Sequence, residues 1–256
     1  MFINQYSSKW ISYPKPNPQA DLRLFCFPHA GGNSGIYSSW AKYLPKNVEV
    51  CLIELPGHGS RLKEVAYDRL QPLVEAISSV LMPCLLETPF AFFGHSMGAL
   101  ISFELAIQLR KLYCKKPIHL FVSGCRAPQT FCEISPIDTL CDVGFIEQVS
   151  KYGGLPDEVL QNSEFMELIL PTLRADFNLI ASYTYVPELP LDCPMTIFSG
   201  LQDISINYTH LKSWQQHTKS AFTIQMFPGN HFFIRSHQHL LLALLSKILQ
   251  NLVEQD

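Results

Sequence analysis

Six short apolar runs recur along the chain, and their lengths predict the strands of a central sheet. They are LRLFCF (22–27), VEVCLIE (48–54), FAFFG (90–94), IHLFVSG (118–124), MTIFSG (195–200) and FTIQMF (222–227). Each run is apolar almost throughout, instead of alternating with polar residues, which is typical of strands that are covered on both faces. Parallel sheets are covered in this way, so we expect a largely parallel sheet.

Helical patterns separate these runs. MGALISFELAIQLRKL (97–112) follows the third run, and HLLLALLSKILQNL (239–252) follows the last one. The first of these helices has Glu104 as its only charged residue through Leu109, so we expect it to pack inside the molecule, against the middle of the sheet. Strands that alternate with helices predict an α/β fold with a mostly parallel central sheet flanked by helices.

One segment, from about 126 to 185, breaks this alternation. Its pattern is helical, and it contains no convincing strand. Helices inserted between two strands either pack on the sheet or form a lid over a site at the carboxyl ends of the strands. We expect a helical lid insertion within a single domain that spans 1–256, a length that suits one substantial domain.

Composition and charge exclude several classes of function. The net charge is −3, from 19 basic and 22 acidic residues, so nothing indicates binding to nucleic acid or to an anionic membrane. No apolar run approaches the roughly 18 residues of a membrane span. The N-terminus lacks the pattern of a signal peptide, and the prolines of PKPNP (14–18) suggest an extended arm.

The eight cysteines do not predict a metal site or a disulfide framework. No C-x-x-C pair occurs, and several cysteines lie inside apolar runs. This usage is typical of free, mostly buried thiols in a reducing compartment. We therefore expect a cytoplasmic protein without a metal.

FAFFGHSMGAL contains the strongest local motif. Gly94-His95-Ser96-Met97-Gly98 matches G-x-S-x-G and lies between a predicted strand and a predicted helix. In that context it predicts a nucleophile elbow, where the chain reverses within a few residues and therefore needs small neighbours beside the serine. The N-terminus of the following helix adds oriented N–H groups beside the serine oxygen. We expect Ser96 to be a catalytic nucleophile.

A serine hydroxyl is protonated at neutral pH, so it needs a base, and the base needs an orienting acid. In this arrangement the chain order is serine, acid, histidine. His231, in FPGNHFFI, follows the last predicted strand through a Pro-Gly-Asn turn and precedes the last helix, where the base is expected. The other eight histidines lie before the serine, beside it, at a strand start or in helical stretches.

Asp203, in SGLQDIS, is the predicted acid because it lies in the loop after the fifth predicted strand. Two alternatives remain. An acid could follow the strand before the insertion, but VSGCRAP and the residues after it hold no carboxylate until Glu133. Asp176, in LRADF, lies within the insertion, where a salt bridge or a place on a helix face is the simpler explanation.

FPHAGGNSG (27–35) is a glycine-rich turn that follows the first predicted strand. Such a turn usually indicates phosphate binding, but here no Lys-Ser/Thr follows the glycines and the G-x-G-x-x-G spacing is absent. An elbow serine needs two backbone donors for the oxyanion, one from the residue after it and one from the loop after an early strand. We expect these donors to be the N–H groups of Met97 and Ala30.

Six segments, in this order, resemble the type II thioesterases that accompany nonribosomal peptide and polyketide synthases: FPHAGG, ELPGHGSR, FFGHSMGA, LRADF, SGLQD and GNHFF. The resemblance extends from about Trp10 to the last helix. It implies an α/β-hydrolase fold and a mobile lid over an acyl site. It also implies a triad and two oxyanion donors, formed by Ser96, Asp203, His231, Ala30 and Met97.

The resemblance further implies a substrate and a partner. Ser96 would hydrolyse an acyl thioester on the phosphopantetheine arm of an acyl- or peptidyl-carrier protein, removing misprimed or stalled acyl groups without a cofactor. The chain departs from the family in one place, since His58 stands after the "PG" of the second loop where many members carry Arg. Arg61 nearby could keep the charge of that loop.

Three other functions stay open at this point. A medium-chain acyl hydrolase that terminates fatty-acid synthesis would differ in the depth of its acyl pocket. A lipase or carboxylesterase would act on free oxygen esters, which the same triad could hydrolyse. A non-catalytic binding protein on this fold would be expected to lack a member of the triad. Nothing in the pattern demands an oligomer, so we expect a monomer.

Overall fold

A computed structural model describes residues 8–133, 140–155 and 157–254. Its seven strands form one sheet in the order β1-β3-β2-β4-β5-β6-β7. They span Ile11–Ser12 (β1), Leu22–Phe27 (β2), Val48–Ile53 (β3), Phe90–His95 (β4), His119–Ser123 (β5), Met195–Gly200 (β6) and Phe222–Phe227 (β7). All neighbours are parallel except β1 and β3, which are antiparallel. The prediction of a mostly parallel sheet is confirmed, and all six predicted runs form strands.

The strand β1 was not predicted. The sequence suggests only an extended arm before the first long strand, because its prolines break any longer apolar run. Ile11 is nevertheless buried, and it pairs with Ile53 at the edge of the sheet. A strand of two residues is too short to show the alternating pattern of a strand in the sequence, so β1 is recognised only by its pairing with β3.

Eight α-helices flank the sheet within the described residues. They span Leu70–Leu81 (α1), Met97–Tyr113 (α2), Asp142–Ser150 (α3), Asp157–Leu160 (α4), Ser163–Ala181 (α5), Tyr208–Lys212 (α6), Phe233–Ser236 (α7) and Gln238–Glu254 (α8). The predicted helices 97–112 and 239–252 correspond to α2 and α8. None of the helices among these residues is long and apolar enough to cross a membrane.

Separate apolar layers cover the two faces of the sheet. Phe25 and Phe27 of β2 point into the layer formed by α1 and α2. Leu24 and Cys26 of the same strand point into the opposite layer, which includes α8. Both faces of β2 through β6 are therefore buried, which explains why these strands have no alternating polar positions, whereas the edge strand β7 is only partly buried. The described cysteines are unpaired, and most of them are buried in these layers.

The segment between β5 and β6 is helical where the structure describes it, as predicted. It begins with a 3₁₀ turn, Pro128–Glu133, and continues through α3, α4 and α5. Residues 134–139 and 156 of the predicted insertion lie outside the described residues. A small apolar cluster of its own joins α3 to α5 through Phe145, Val149 and Leu173. The insertion therefore has an apolar cluster of its own, while Leu179 of α5 packs in the layer formed by α1 and α2.

Candidate active site

Ser96 occupies the sharp turn between β4 and α2. Its backbone has φ 54° and ψ −117°, a strained conformation for a residue with a side chain. The Ser96 N–H donates to the Ser123 carbonyl oxygen of β5 at 2.8 Å, which fixes the turn against the sheet. A Cβ on Gly98 would lie 2.2 Å from the Phe27 carbonyl oxygen, so the helix can leave the strand at this angle only with glycine there. This is the geometry of a nucleophile elbow.

His231 and Asp203 form a hydrogen-bonded pair on the loops that follow β7 and β6. The Nδ1 atom of His231 lies 2.7 Å from Oδ2 of Asp203, and the Asp203 side chain is fully buried. Its other carboxylate oxygen, Oδ1, accepts hydrogen bonds from the backbone N–H (2.9 Å) and hydroxyl (2.6 Å) of Ser205. Because the carboxylate accepts a hydrogen bond from Nδ1–H, Nε2 is the ring atom left to act as a base.

The environment of Asp203 keeps its carboxyl group ionised. Burial raises its pKa, but the hydrogen bonds and charge of His231, together with the two hydrogen bonds from Ser205, outweigh burial and lower the pKa below its ordinary value. Asp203 is therefore a carboxylate at neutral pH. It can orient the imidazole and stabilise the imidazolium that forms when the base accepts a proton.

Two further buried histidines adjoin this pair, but neither is paired with a carboxylate among the described residues. The His95 ring lies 5.2 Å from the His231 ring, and its Nδ1 atom is 2.9 Å from the Ser123 hydroxyl. Burial lowers the pKa of His29 to about 3, and burial also lowers the pKa of His95 well below its ordinary value. A histidine with so low a pKa is a poor base near neutral pH, which leaves His231 as the candidate.

The glycine-rich loop after β2 folds as a turn over His29–Gly32. The Gly32 N–H donates to the His29 carbonyl oxygen at 2.9 Å, and Gly31 has φ +70°, as the third residue of a type II turn requires. Within the described part of the chain, no acceptor is bonded to the Ala30 N–H. Met97 is the first residue of α2, so its N–H has no carbonyl to bond within the helix. Both amides are free to donate.

One cavity of about 750 Å³ connects these parts, a size typical of small-molecule sites. Ser96, His231, Ala30 and Met97 all line it. The insertion contributes much of its apolar wall through Phe131, Val149, Leu155, Val159, Phe165, Ile169, Leu173, Phe177 and Ile180. The insertion therefore covers the site as well as packing on the sheet. Asp203 lies behind His231 and is not part of the wall.

Asp176 does not contact the base but belongs to a second buried histidine–carboxylate pair. Its Oδ2 atom lies 2.8 Å from Nε2 of His58 and also accepts the Gly31 N–H at 2.6 Å. Burial lowers the pKa of His58, but the Asp176 carboxylate and further hydrogen bonds raise it more, so the net shift is upward. The expected salt bridge in the insertion is thus present, and it reaches the loop that carries Ala30.

Arg61 keeps a positive charge in this loop, but its contacts are with residues other than Asp176. Its guanidinium lies over the Trp10 ring, 4.1 Å from the ring centroid, and pairs with Glu64 at 2.6 Å. His58 itself carries the contact with the insertion. Among the described residues, no group of three or more His, Cys, Asp or Glu side chains could hold a metal ion.

The sequence interpretation missed the contacts between the insertion and the loops. Asp176 lies at helical spacing among Leu173, Phe177 and Ile180, on the face of α5 whose apolar residues line the cavity. A charged residue on an apolar helix face needs a buried partner, so this spacing was an available signal. Tyr152, whose ring lies 5.9 Å from the His231 ring, carried no comparable signal.

Comparison with known proteins was made on both sequence and structure. A family model for the thioesterase domain matches residues 22–252. The gramicidin S biosynthesis protein GrsT of Aneurinibacillus migulanus is 43% identical, over 97% of this chain and 96% of its own length. The human medium-chain S-acyl fatty acid synthase thioesterase is 33% identical, over 85% of this chain and 83% of its own length.

Among solved structures, the RedJ thioesterase from the prodiginine pathway of Streptomyces coelicolor superposes with a TM-score of 0.84. It is 39% identical, and the match covers 89% of this chain and 86% of that one. This similarity, together with the strand order and the elbow, confirms the predicted α/β-hydrolase fold.

Proposed function

The chain belongs to the thioesterase family, and we propose that it is a serine thioesterase acting on acyl groups bound to carrier proteins. It would remove misprimed or stalled acyl groups from the phosphopantetheine arm during nonribosomal peptide or polyketide biosynthesis. The observation that carries this proposal is the cavity, which joins an elbow serine, a carboxylate-paired histidine and an apolar wall of the kind that an acyl chain would contact. The pathway names of GrsT and RedJ support the choice of substrate.

The reaction would proceed in two steps through an acyl-enzyme. His231 Nε2 takes the proton from Ser96 Oγ as the oxygen attacks the thioester carbonyl carbon. The oxyanion accepts hydrogen bonds from the Ala30 and Met97 N–H groups, and its collapse expels the pantetheine thiol, which receives the proton from His231. Water, deprotonated by His231, then attacks the acyl-serine carbonyl carbon. The acyl–Oγ bond breaks, His231 returns the proton to Ser96 Oγ, and the carboxylic acid is released.

A medium-chain fatty acyl-carrier-protein hydrolase is the second candidate. The 33% identity to the human medium-chain enzyme favours it over an oxygen-ester hydrolase. The two candidates share the triad and differ in the carrier protein and the acyl chain that the cavity accepts. In both cases the partner is a carrier protein, and we expect the enzyme to act as a cytoplasmic monomer without a cofactor.

A comparison of three substrates tests the proposal: an acyl-carrier protein, the same acyl group on coenzyme A, and its p-nitrophenyl ester. We expect kcat/KM to be highest for the carrier-bound acyl group and turnover of all three to be lost in Ser96→Ala. A much faster reaction with the oxygen ester would refute the thioesterase assignment. Full activity of Ser96→Ala would refute the catalytic assignment as well.

A further inference from the structure

The peptide between Ala30 and Gly31 is held at both ends by buried side chains. Its carbonyl oxygen lies 2.9 Å from Nδ1 of His29, and its N–H donates to Oδ2 of Asp176 at 2.6 Å. A carbonyl oxygen can only accept, so His29 carries its proton on Nδ1. The other ring nitrogen of His29 lies 3.3 Å from the Arg235 guanidinium, which can only donate. The hydrogen-bond partners therefore specify one neutral tautomer.

This peptide is the central one of the turn His29–Gly32. Type I and type II turns differ mainly in the orientation of that peptide, and they need different backbone angles at the third residue. Gly31, with φ +70°, has the type II value. Both side-chain contacts are made only in this orientation, because a flipped peptide would turn its N–H away from Asp176 and its oxygen away from His29. The two contacts therefore select the type II turn.

The contact to Asp176 comes from the insertion and not from the loop itself. Asp176 lies on α5, and the same helix places Leu173 against Gly31, where an added Cβ would lie 2.7 Å from Leu173 Cδ1. The loop that carries the Ala30 N–H is thus shaped by a helix that lies 145 residues away along the chain.

His58 balances the charge of the Asp176 carboxylate that accepts the Gly31 N–H. Its Nδ1 atom lies 3.0 Å from the Pro56 carbonyl oxygen, and its Nε2 atom lies 2.8 Å from Asp176. Both partners are acceptors, so both ring nitrogens donate when Asp176 is a carboxylate, and His58 is then an imidazolium. A buried carboxylate beside the oxyanion loop would otherwise disfavour the negative charge that develops there, and the imidazolium balances it.

We propose that Asp176 is a positioning residue for the oxyanion hole: held by His58, it fixes the Ala30–Gly31 peptide and thereby the Ala30 N–H. This inference rests on the proposed function, since it assigns the loop to the oxyanion of the Ser96 reaction. Asp176 touches neither the substrate nor the base and acts through the loop alone. Its loss therefore affects the transition state more than substrate binding.

The test compares Asp176→Ala, Asp176→Asn and Thr172→Val on a short-chain p-nitrophenyl ester. Thr172 is the matched control, because its hydroxyl ties the same helix to a different loop, through the Gly57 carbonyl oxygen at 2.9 Å. Removal of one oxyanion donor typically lowers kcat by about 10²–10³-fold, which sets the upper limit for a displaced donor. We expect Asp176→Ala to lower kcat by about 10–100-fold, with KM within about threefold of wild type.

The conservative variant and an inhibitor separate positioning from a general structural role. Asp176→Asn keeps an oxygen that can accept the Gly31 N–H, so kcat should stay within about threefold of wild type, as should kcat of Thr172→Val. A trifluoromethyl ketone forms a tetrahedral adduct whose oxyanion occupies the same hole. Its inhibition constant should therefore rise in Asp176→Ala by the same factor by which kcat falls.

Several results would overturn the proposal: wild-type kcat in Asp176→Ala, a loss through KM alone, an unchanged inhibition constant, or an equal loss in Thr172→Val. If Asp176→Ala does not fold, His29→Phe removes the contact at the other end of the same peptide and keeps a ring of similar shape. It should lower kcat at unchanged KM, and wild-type kcat would refute the proposal. Ser96→Ala, assayed in parallel, separates the two proposals, because its activity would refute the proposed function instead.

Discussion

Replacement of Asp203 by asparagine should abolish most of the catalytic rate, because Ser205 dictates how the new amide is oriented. The backbone N–H of Ser205 lies 2.9 Å from Asp203 Oδ1 and can only donate, so the amide oxygen of Asp203→Asn must face it. The amide NH₂ group then occupies the position of Oδ2, 2.7 Å from His231 Nδ1. Two donors cannot face each other, so His231 loses the proton from Nδ1 and carries it on Nε2.

That tautomer cannot accept a proton from Ser96. The corresponding aspartate-to-asparagine change in a serine protease triad lowers kcat by about 10⁴-fold for the same reason, which corresponds to about 5 kcal/mol of transition-state stabilisation. We expect a loss of about 10³–10⁴-fold here. Cooperative unfolding should be retained, because the amide occupies the same volume and keeps its hydrogen bond from Ser205.

The assay is the release of p-nitrophenol from a short-chain ester, with the rate of Ser96 labelling by a fluorophosphonate as an independent measure of nucleophile activation. Asp176→Asn is the matched control, because it makes the same change in the other buried histidine–carboxylate pair. It should keep a rate within about threefold of wild type. If Asp203→Asn retained more than about a tenth of kcat, or if the ranking of the two variants were reversed, Asp203 would not be the orienting acid.

Three further predictions concern stability and specificity. Gly98→Ala should lower Tm by about 2–12 °C in a thermal melt, because the added methyl would lie 2.2 Å from a backbone oxygen of β2. The control is Gly144→Ala, which should not lower Tm because the nearest atom to its added methyl would be 3.7 Å away. Because the pKa of His58 is raised in the folded protein, protonated His58 stabilises the folded state. This stabilisation is complete below about pH 6.5 and is lost as the pH rises through the pKa of His58 in the folded protein. The difference in unfolding free energy between wild type and His58→Gln, measured in urea, should therefore shrink as the pH rises above about 6.5, and a constant difference would contradict this prediction. Ile180→Phe places a larger side chain in the wall and narrows the cavity, so kcat/KM for an octanoyl ester should fall at least about tenfold relative to kcat/KM for an acetyl ester. If the ratio of these two kcat/KM values did not change, this part of the wall would not be the acyl site.

The sequence predicted those features that depend on local pattern. The continuous apolar runs identified β2 through β6 because these strands are covered on both faces, and a similar run identified the partly buried β7. The elbow was predictable because the reversal from β4 to α2 demands glycines at fixed spacing, whereas the assignment of the loop after β2 as an oxyanion donor stays a prediction. By contrast, β1 exists only through its pairing with β3, which no local pattern encodes.

Contacts between distant segments could not be predicted in the same way. The pairing of His231 with Asp203 followed from the order of the loops along a known kind of sheet, since each follows its own strand. The pairing of Asp176 with His58 crosses 118 residues and joins an inserted helix to a loop, and the fold imposes no rule on where such a helix lies. The apolar spacing around Asp176 indicated a buried partner without identifying it.

The two buried pairs show why a histidine–carboxylate contact does not by itself define a catalytic site. Both carboxylates are buried, and both lie within 2.8 Å of an imidazole nitrogen. Their remaining contacts separate them. The second oxygen of Asp203 accepts a hydrogen bond from Ser205, and His231 uses only Nδ1 in its pair, so its Nε2 is available at the cavity. His58 donates from both ring nitrogens to buried acceptors, so it has no atom left to accept a proton from a substrate. Asp176 instead uses its shared oxygen on the Gly31 N–H. The third contact of each pair therefore supports the role we propose for it: proton transfer for the first and loop geometry for the second.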